Sequence, residues 1–300
     1  MNPQTVLTPP PRPERFFAPC LVLLLFLVLS IASSACKSGA KESAANAAKD
    51  VVFLSELIEK DVGEIERGLP EGASRVSSLV SDGRDPRQDV AGVRHALARI
   101  RRDVMDLNVA KSTFFALADP AGVAIRNDLE EDVMAGQNLT LLFPALSRAG
   151  AGFVTTTGGF PPGPGAHGPP DKDWIAATPV RRPDGSTGAL LVTGWSYRYF
   201  ARHLQSSLES HLLEAVKASG SDGKLPIYYV ALFDPSGVYS APLTPQVDEQ
   251  ALDAQSLVSH TAGGLFSGTM TITDRDFGFA ALRAPKLGTD VGVAVLRSDL

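Results

Sequence analysis

The stretch Phe115-Ala-Leu-Ala-Asp-Pro-Ala-Gly-Val123 decides the fold, because a second version, Val230-Ala-Leu-Phe-Asp-Pro-Ser-Gly-Val238, follows 115 residues later. In each copy Asp-Pro-x-Gly joins two apolar runs. This tetrapeptide is typical of a type I turn: Asp accepts a local hydrogen bond, Pro presets φ, and Gly takes the last position. Each copy therefore predicts a β-hairpin. Two unrelated turns of a common type are the alternative, but the matching flanks favour an internal repeat of two sheet domains.

The composition agrees with two folded domains and excludes one class of partner. The chain has 300 residues, of which 44% are hydrophobic and 20% are charged, and its net charge is −5. This length suggests about two domains. The sequence has no basic stripe of the kind that neutralises phosphates, so we expect no nucleic-acid partner.

Residues 1–35 have the pattern of an export signal. Arg12 and Arg15 precede an apolar run, residues 21–29, which is too short to span a bilayer comfortably. Small residues then lead into Cys36, and here the chain resembles a bacterial lipoprotein precursor. That resemblance implies lipidation of Cys36 and a protein anchored on the extracytoplasmic side of a membrane. The sequence departs from the lipoprotein pattern at Ser33, where Leu is usual, so cleavage without lipidation and an uncleaved anchor remain alternatives.

The sequence carries no familiar catalytic or metal-binding pattern. Cys20 lies within the signal and Cys36 is the lipid site, so the mature body has no thiol for a disulfide, a zinc cluster or a nucleophile. The sequence has no Gly-x-Ser-x-Gly elbow, no His-Glu-x-x-His pair and no phosphate-binding loop. His203 and His211 are eight residues apart, too far for one metal ion. We therefore expect a non-enzyme with no catalytic residue, cofactor or metal.

Helical periodicity divides the rest of the chain. Residues 36–50 are predicted to be a tether, and residues 51–110 to form long helices. The first helix is expected to end at residues 68–70, and apolar residues at 90–107 form a second stripe that fits either core packing or a coiled-coil seam. The first unit covers residues 111–197, with a short helix expected at 129–134. A linker helix follows at 198–223 and the second unit at 224–300, with a helix at 249–258.

The arrangement resembles a known class of sensor domain. A hairpin, crossing helices and a terminal run of strands form the plan of a PAS-like unit, and two such units behind a long helix resemble the double Cache domains of bacterial chemoreceptors and sensor kinases. The residues that carry the resemblance are the two repeat stretches, residues 135–139 and residues 177–180. The fold class is thus α+β, with two PAS-like antiparallel-sheet units in tandem behind long N-terminal helices.

The resemblance implies a small ligand in the first unit, of the amino acid, amine or carboxylate class. Members that bind amino acids carry an Arg-x-Trp-Tyr signature, but here the nearest stretch is Lys172-Asp-Trp-Ile175. We expect the pocket under the loop at residues 150–173, with apolar walls and a few polar groups. The candidate walls are Phe153, Phe160 and Trp174, with Trp195 and Tyr197 nearby, and the candidate polar groups are Arg126, Lys172, Asp173 and Thr178.

The leading hypothesis is a lipid-anchored sensor that acts through a separate signalling protein. Sensors of this class usually continue from the second unit into a transmembrane helix and a signalling domain, and neither follows residue 300 in this sequence. The alternative is a non-catalytic envelope scaffold that has no small ligand. That alternative predicts a first unit whose centre is filled by its own aromatic residues.

Overall fold

The computed structural model describes residues 18–81, 83–109, 113–161, 171–219 and 224–299, with side chains from residue 39 onward. The charged start of the predicted export signal and the side chains of Cys20 and Cys36 lie outside these described residues. The helices are α1 (Ala18–Arg75), α2 (Val90–Asp103), α3 (Met105–Val109), α4 (Leu139–Leu142), α5 (Tyr197–Ser219), α6 (Gln246–Asp253) and α7 (Leu257–His260). The strands are β1 (Phe114–Ala118), β2 (Ala124–Asn127), β3 (Val154–Gly158), β4 (Asp173–Arg181), β5 (Thr187–Ser196), β6 (Ile227–Asp234), β7 (Gly237–Ser240), β8 (Phe266–Ile272), β9 (Arg275–Arg283) and β10 (Gly292–Ser298).

The strands form two antiparallel sheets with the same topology. The first sheet has the order β2-β1-β5-β4-β3 and the second has the order β7-β6-β10-β9-β8. In both, the first strand of the unit pairs with the last, which lies at the centre of the sheet. The internal repeat predicted from the sequence is therefore confirmed, as is the α+β fold class.

Both Asp-Pro turns lie where the repeat places them, at the tip of the first hairpin of each sheet. The Gly122 N–H donates to the Asp119 carbonyl at 2.9 Å, and Asp119 Oδ1 accepts the N–H groups of Ala121 and Val123 at 2.9 and 2.8 Å. Gly122 has φ of +85°, which side-chain-bearing residues adopt at a cost. In the second turn Asp234 Oδ1 accepts the Ser236 N–H at 2.8 Å. The Asp side chains thus fix both turns.

Helix α1 contacts both sheets and is longer than predicted. It runs without a break through the predicted tether, and within it Ser43, Ala47 and Asp50 are buried against the second unit. It also continues through Pro70 to Arg75, where the sequence predicted an end. The burial of Leu69 and Ala73 outweighs the weak helix propensity around Pro70. The tether prediction was wrong for the same reason, because tertiary packing orders an Ala- and Lys-rich segment.

One apolar core joins the two units. It contains the inner faces of both sheets together with α1, α2 and α5. At its centre Trp195 stacks between Trp174 and Phe200, with ring centroids 4.3 Å apart on each side. The stripe of α2 is buried in this core, which agrees with the packing interpretation rather than a coiled-coil seam. The outer face of each sheet is covered separately by its own short helices.

Two predicted helices differ from the structure. Residues 129–134 form an irregular loop rather than a helix, because Asp132 accepts the N–H groups of Asn127, Met134 and Ala135 and so organises a local turn. The predicted helix 249–258 is two short helices, α6 and α7, separated at Ser256, whose φ is +51°. Within the described part of the chain, none of the helices has the length and apolarity needed to cross a bilayer.

Candidate ligand site

The first unit contains a cavity of about 530 Å³ on the outer face of its sheet. It lies at the end of the sheet where β1 and β4 begin and β2 and β5 end. Its apolar lining is Phe114, Leu129, Val133, Met134, Phe160, Pro161 and Tyr199, and its polar lining is Thr113, Asn127, Gln137, Asp173 and Ser196. An apolar concavity with a few convergent polar groups is the usual form of a small-molecule site.

Asp173 is the charged group of this cavity. It begins β4, and its Oδ2 accepts the Phe160 N–H at 3.1 Å. Burial raises the pKa of Asp173 to about 6, the Phe160 hydrogen bond opposes this rise, and the nearby Asp171 adds to it. The structure thus keeps a carboxylate in a partly desolvated place with one backbone donor, which costs stability unless a partner is bound.

Two amide side chains in the wall have unused hydrogen-bonding atoms. Asn127 is fully buried; its Oδ1 accepts the Leu129 N–H at 3.0 Å, whereas its Nδ2 has no partner. Gln137 donates from Nε2 to the Val133 carbonyl at 2.7 Å, and its Oε1 is buried without a partner. Buried polar atoms are normally satisfied, so these two are unpaired donor and acceptor groups just behind the surface of the cavity. Periodicity could not have indicated either residue, because both lie in or beside an irregular loop.

The loop over the cavity is held from outside by ion pairs. Arg126 pairs with Asp132 at 3.1 Å and donates to the carbonyls of Leu129 and Glu130 at 2.8 and 3.2 Å. Asp128 accepts from Arg101 at 2.6 Å. Arg126 lies in a groove beside α2, not in the cavity, so its predicted contact with the ligand is not supported. Arg126 instead holds the loop that covers the cavity.

The other predicted site residues do not all lie on one face of the first sheet, partly because side chains along β4 alternate between its two faces. Of the predicted site residues, Asp173 and Phe160 line the cavity. Trp174 is on the opposite face, in the core that contacts α1, and Lys172 pairs with Asp234 of the second unit. Thr178 is buried beside the C-terminal end of α1, and Phe153 packs on the central core. Successive side chains in a strand point to opposite faces, so neighbouring residues cannot all line one pocket.

In the second sheet, apolar side chains occupy the position that corresponds to the cavity of the first sheet. Matching the two sheets through their strand pairing puts Phe277 where the first unit has Asp173, and Leu296 where it has Gly194. Phe277, Phe279 and Leu296 all belong to the apolar cluster on the outer face of the second sheet. The two units therefore share a fold, but at this position only the first has a carboxylate.

Comparisons with known proteins agree on the fold. Neither a family model nor a curated protein matches the chain. Among solved structures, the extracellular domain of vpHK1S-Z8, assigned as a histidine kinase, has a TM-score of 0.57 at 9% identity over 88% of this chain and 93% of that chain. A domain from Vibrio parahaemolyticus, assigned to the sensory box/GGDEF family, has a TM-score of 0.50 at 9% identity. The match covers 87% of this chain and 97% of that domain.

An extracellular ligand binding receptor from Desulfohalobium retbaense matches over 82% of this chain at 13% identity, with a TM-score of 0.48. This chain spans 39% of that receptor's length. The predicted architecture, two PAS-like units in tandem behind a long helix as in extracytoplasmic sensory domains, is confirmed.

Proposed function

Because the chain has the fold of extracytoplasmic sensory domains, we propose that it is a sensor-type protein that binds a small protonated amine in the cavity of its first unit. The single observation that carries this proposal is Asp173, a carboxylate with a raised pKa in a cavity of about 530 Å³. A cationic ligand would supply the counter-charge that the buried carboxylate lacks.

The other lining groups narrow the ligand class. The unpaired Nδ2 of Asn127 and the unpaired Oε1 of Gln137 are buried behind the lining, so a small movement of either side chain would let it pair with an acceptor or a donor of the ligand. Phe114, Phe160 and Met134 offer contact to an apolar body. Among the lining residues that the structure describes, none is Lys or Arg, so a ligand carboxylate would meet no counter-charge there. An amine with an amide or hydroxyl group fits better than a free amino acid.

We expect a matched pair of compounds to separate these classes. L-leucinamide and L-leucine differ in whether the carboxyl end is a neutral amide or a carboxylate, and the amide should bind at least tenfold more tightly in calorimetric titrations at pH 7. A wider panel of primary amines with hydroxyl or amide groups should include compounds that raise the melting temperature. If no amine stabilises the protein, or if the carboxylates bind as well, the proposed ligand class is wrong.

Asp173→Asn should abolish amine binding while making the ligand-free protein more stable. The native pKa of Asp173 is about 6, above its ordinary value of 3.8, so the group favours the folded state at low pH and this contribution is lost as pH rises from about 4 through 6. A difference of about 2 pKa units corresponds to at most about 3 kcal/mol at neutral pH. We expect Asp173→Asn to gain about 1–3 kcal/mol in urea unfolding at pH 7.5 and little at pH 4. Amine affinity of the unchanged protein should fall as pH is lowered through 6.

The cavity weighs against the scaffold alternative. That hypothesis expects the centre of the first unit to be filled by its own aromatic residues. Trp174 and Trp195 do fill the inner face of the sheet, but the outer face holds the cavity, whose wall includes Phe114 and Phe160. Space and unsatisfied polar atoms occur together there, which is what a ligand site requires.

We also propose that the chain is attached to a membrane through lipidated Cys36 and signals through a separate protein. The support for the lipid anchor is the succession of charged, apolar and small residues before Cys36. Labelled palmitate should be incorporated into the full-length protein in bacterial cells and should be lost in Cys36→Ala. Incorporation that persists in Cys36→Ala would exclude this anchor, and Cys20→Ala is the matched control that should retain the label.

A further inference from the structure

The two segments that wall the cavity also carry the side chains that contact the second unit. Asp173 at the start of β4 and Ser196 at the end of β5 are pairing partners, and both line the cavity. The adjacent Lys172 and Tyr197 face the second unit instead, and the Tyr197 N–H donates to the Lys172 carbonyl at 2.7 Å. Ligand contacts and contacts between units therefore lie one residue apart on the same backbone.

The first connection between the units is Lys172. Its Nζ forms an ion pair with Asp234 in the second Asp-Pro turn and donates to Ser236 Oγ at 3.1 Å. The Asp234 side chain is only 1% exposed. A pair with one buried partner is costly to break, because separation leaves a desolvated charge. The position of Lys172 is thus firmly linked to the tip of the β6–β7 hairpin.

The second connection is Arg198, in the first turn of α5. Its guanidinium makes a two-pronged contact with Glu249 of α6, at 2.6 and 2.9 Å, and Glu249 also accepts the Ser240 N–H at 2.9 Å. On the side of the cavity, the Arg198 N–H donates to Asp171 Oδ1 at 3.2 Å. The next residue, Tyr199, lines the cavity. Through Asp171 and the adjacent Tyr199, Arg198 therefore connects two segments next to the cavity to the second unit.

We propose that the ion pairs Lys172–Asp234 and Arg198–Glu249 couple occupancy of the cavity to the order of the β6–β7 hairpin and α6, an inference that rests on the proposed function. A molecule that contacts Asp173, Ser196 or Tyr199 restrains the backbone from which both pairs extend. Restraint of that backbone favours the intact pairs, and intact pairs protect the hairpin and α6 from opening. Coupling of this kind is reciprocal, so the pairs also pre-order the ligand site.

The test fills the cavity without a ligand. Asp173→Phe introduces the residue type that the second unit has at the equivalent position, Phe277. In hydrogen exchange of the full-length protein, this change should slow exchange of amides in residues 237–253 at least threefold. The same change made together with Lys172→Met and Glu249→Gln should give no slowing relative to a protein carrying those two substitutions alone. Lys286→Met, which removes an exposed pair with Glu66 at 2.9 Å, is the matched control and should leave the slowing intact.

Ser196→Leu fills the cavity from the neighbouring strand β5 and replaces Asp173→Phe if that variant does not fold. Slowing that persists after both pairs are removed would overturn the inference, as would unchanged exchange at 237–253 while exchange at 128–137 slows. No ligand is used, so the result stands whether or not an amine binds. The amine titration alone decides the proposed ligand class.

Discussion

Arg297→Met should cost about 3–5 kcal/mol of unfolding free energy at pH 7, because it leaves a carboxylate buried without its counter-charge. Arg297 in β10 donates to Asp50 of α1 at 2.7 Å and to Asp299 at 2.7 Å. Asp50 and Arg297 are only 5% and 8% exposed. Burial raises the pKa of Asp50 even though the Arg297 hydrogen bond lowers it, so at this carboxylate the effect of desolvation exceeds the effect of Arg297. Urea unfolding measures the cost directly.

Three comparisons make this expectation specific. The loss in Arg297→Met should shrink as pH falls from 7 towards 4, because without the guanidinium the pKa of Asp50 rises further and the group is protonated. Asp50→Leu combined with Arg297→Met should recover more than half of the lost stability, since no unpaired charge remains at position 50. Lys286→Met, in an exposed pair, should cost less than about 1 kcal/mol. Equal losses in Lys286→Met and Arg297→Met would contradict the account.

Gly278→Ala should destabilise the protein by about 3 kcal/mol or more, since it separates α1 from the second sheet. A Cβ at Gly278 would lie 2.0 Å from the Ala44 backbone nitrogen and 2.4 Å from its Cα. Side-chain overpacking in a core usually costs about 1–3 kcal/mol, and here the obstacle is a helix backbone that cannot change rotamer. The midpoint of urea unfolding should fall accordingly.

Gly152→Ala is the matched control, because no atom lies within 4 Å of the place its Cβ would occupy. Its stability should stay within about 0.5 kcal/mol of the original. In Gly278→Ala, exchange of amides in residues 40–50 should also become faster. If Gly278→Ala unfolds at the same urea concentration as Gly152→Ala, the close approach of α1 to β9 does not exist in solution.

The repeat made the fold predictable. Asp119-Pro and Asp234-Pro are local turn signals, and the structure keeps both turns, so the two hairpins follow from the sequence. The helix at residues 129–134 and the tether at 36–50 were wrong because side chains and backbone from elsewhere decide them. Asp132 turns the first of these segments, and the close approach to Gly278 orders the second.

The sequence indicated only some of the residues that line the candidate cavity. Asp173 and Phe160 line the cavity, but Lys172 and Trp174 were grouped with them although Lys172 pairs with Asp234 of the second unit and β4 places Trp174 on the inner face of the sheet. The register of β4 decides which of its side chains point to the cavity and which point to the core. A shift of one residue moves every side chain of a strand to the other face. Asn127 and Gln137 become candidates only when their unpartnered atoms are visible beside the cavity.

The unbroken α1 helix has a mechanical consequence. Residues near Ala44 pack against the second sheet, and α1 near Gly72 lies against Leu191 of the first sheet. One continuous helix therefore sets the rotation of one unit relative to the other. Each residue added to an α-helix turns the remainder of the helix by about 100° and advances it by about 1.5 Å. The number of residues between Ala44 and Gly72 therefore sets the orientation of one unit relative to the other. Insertions or deletions in this part of α1 would keep that orientation only if they add or remove close to whole helical turns.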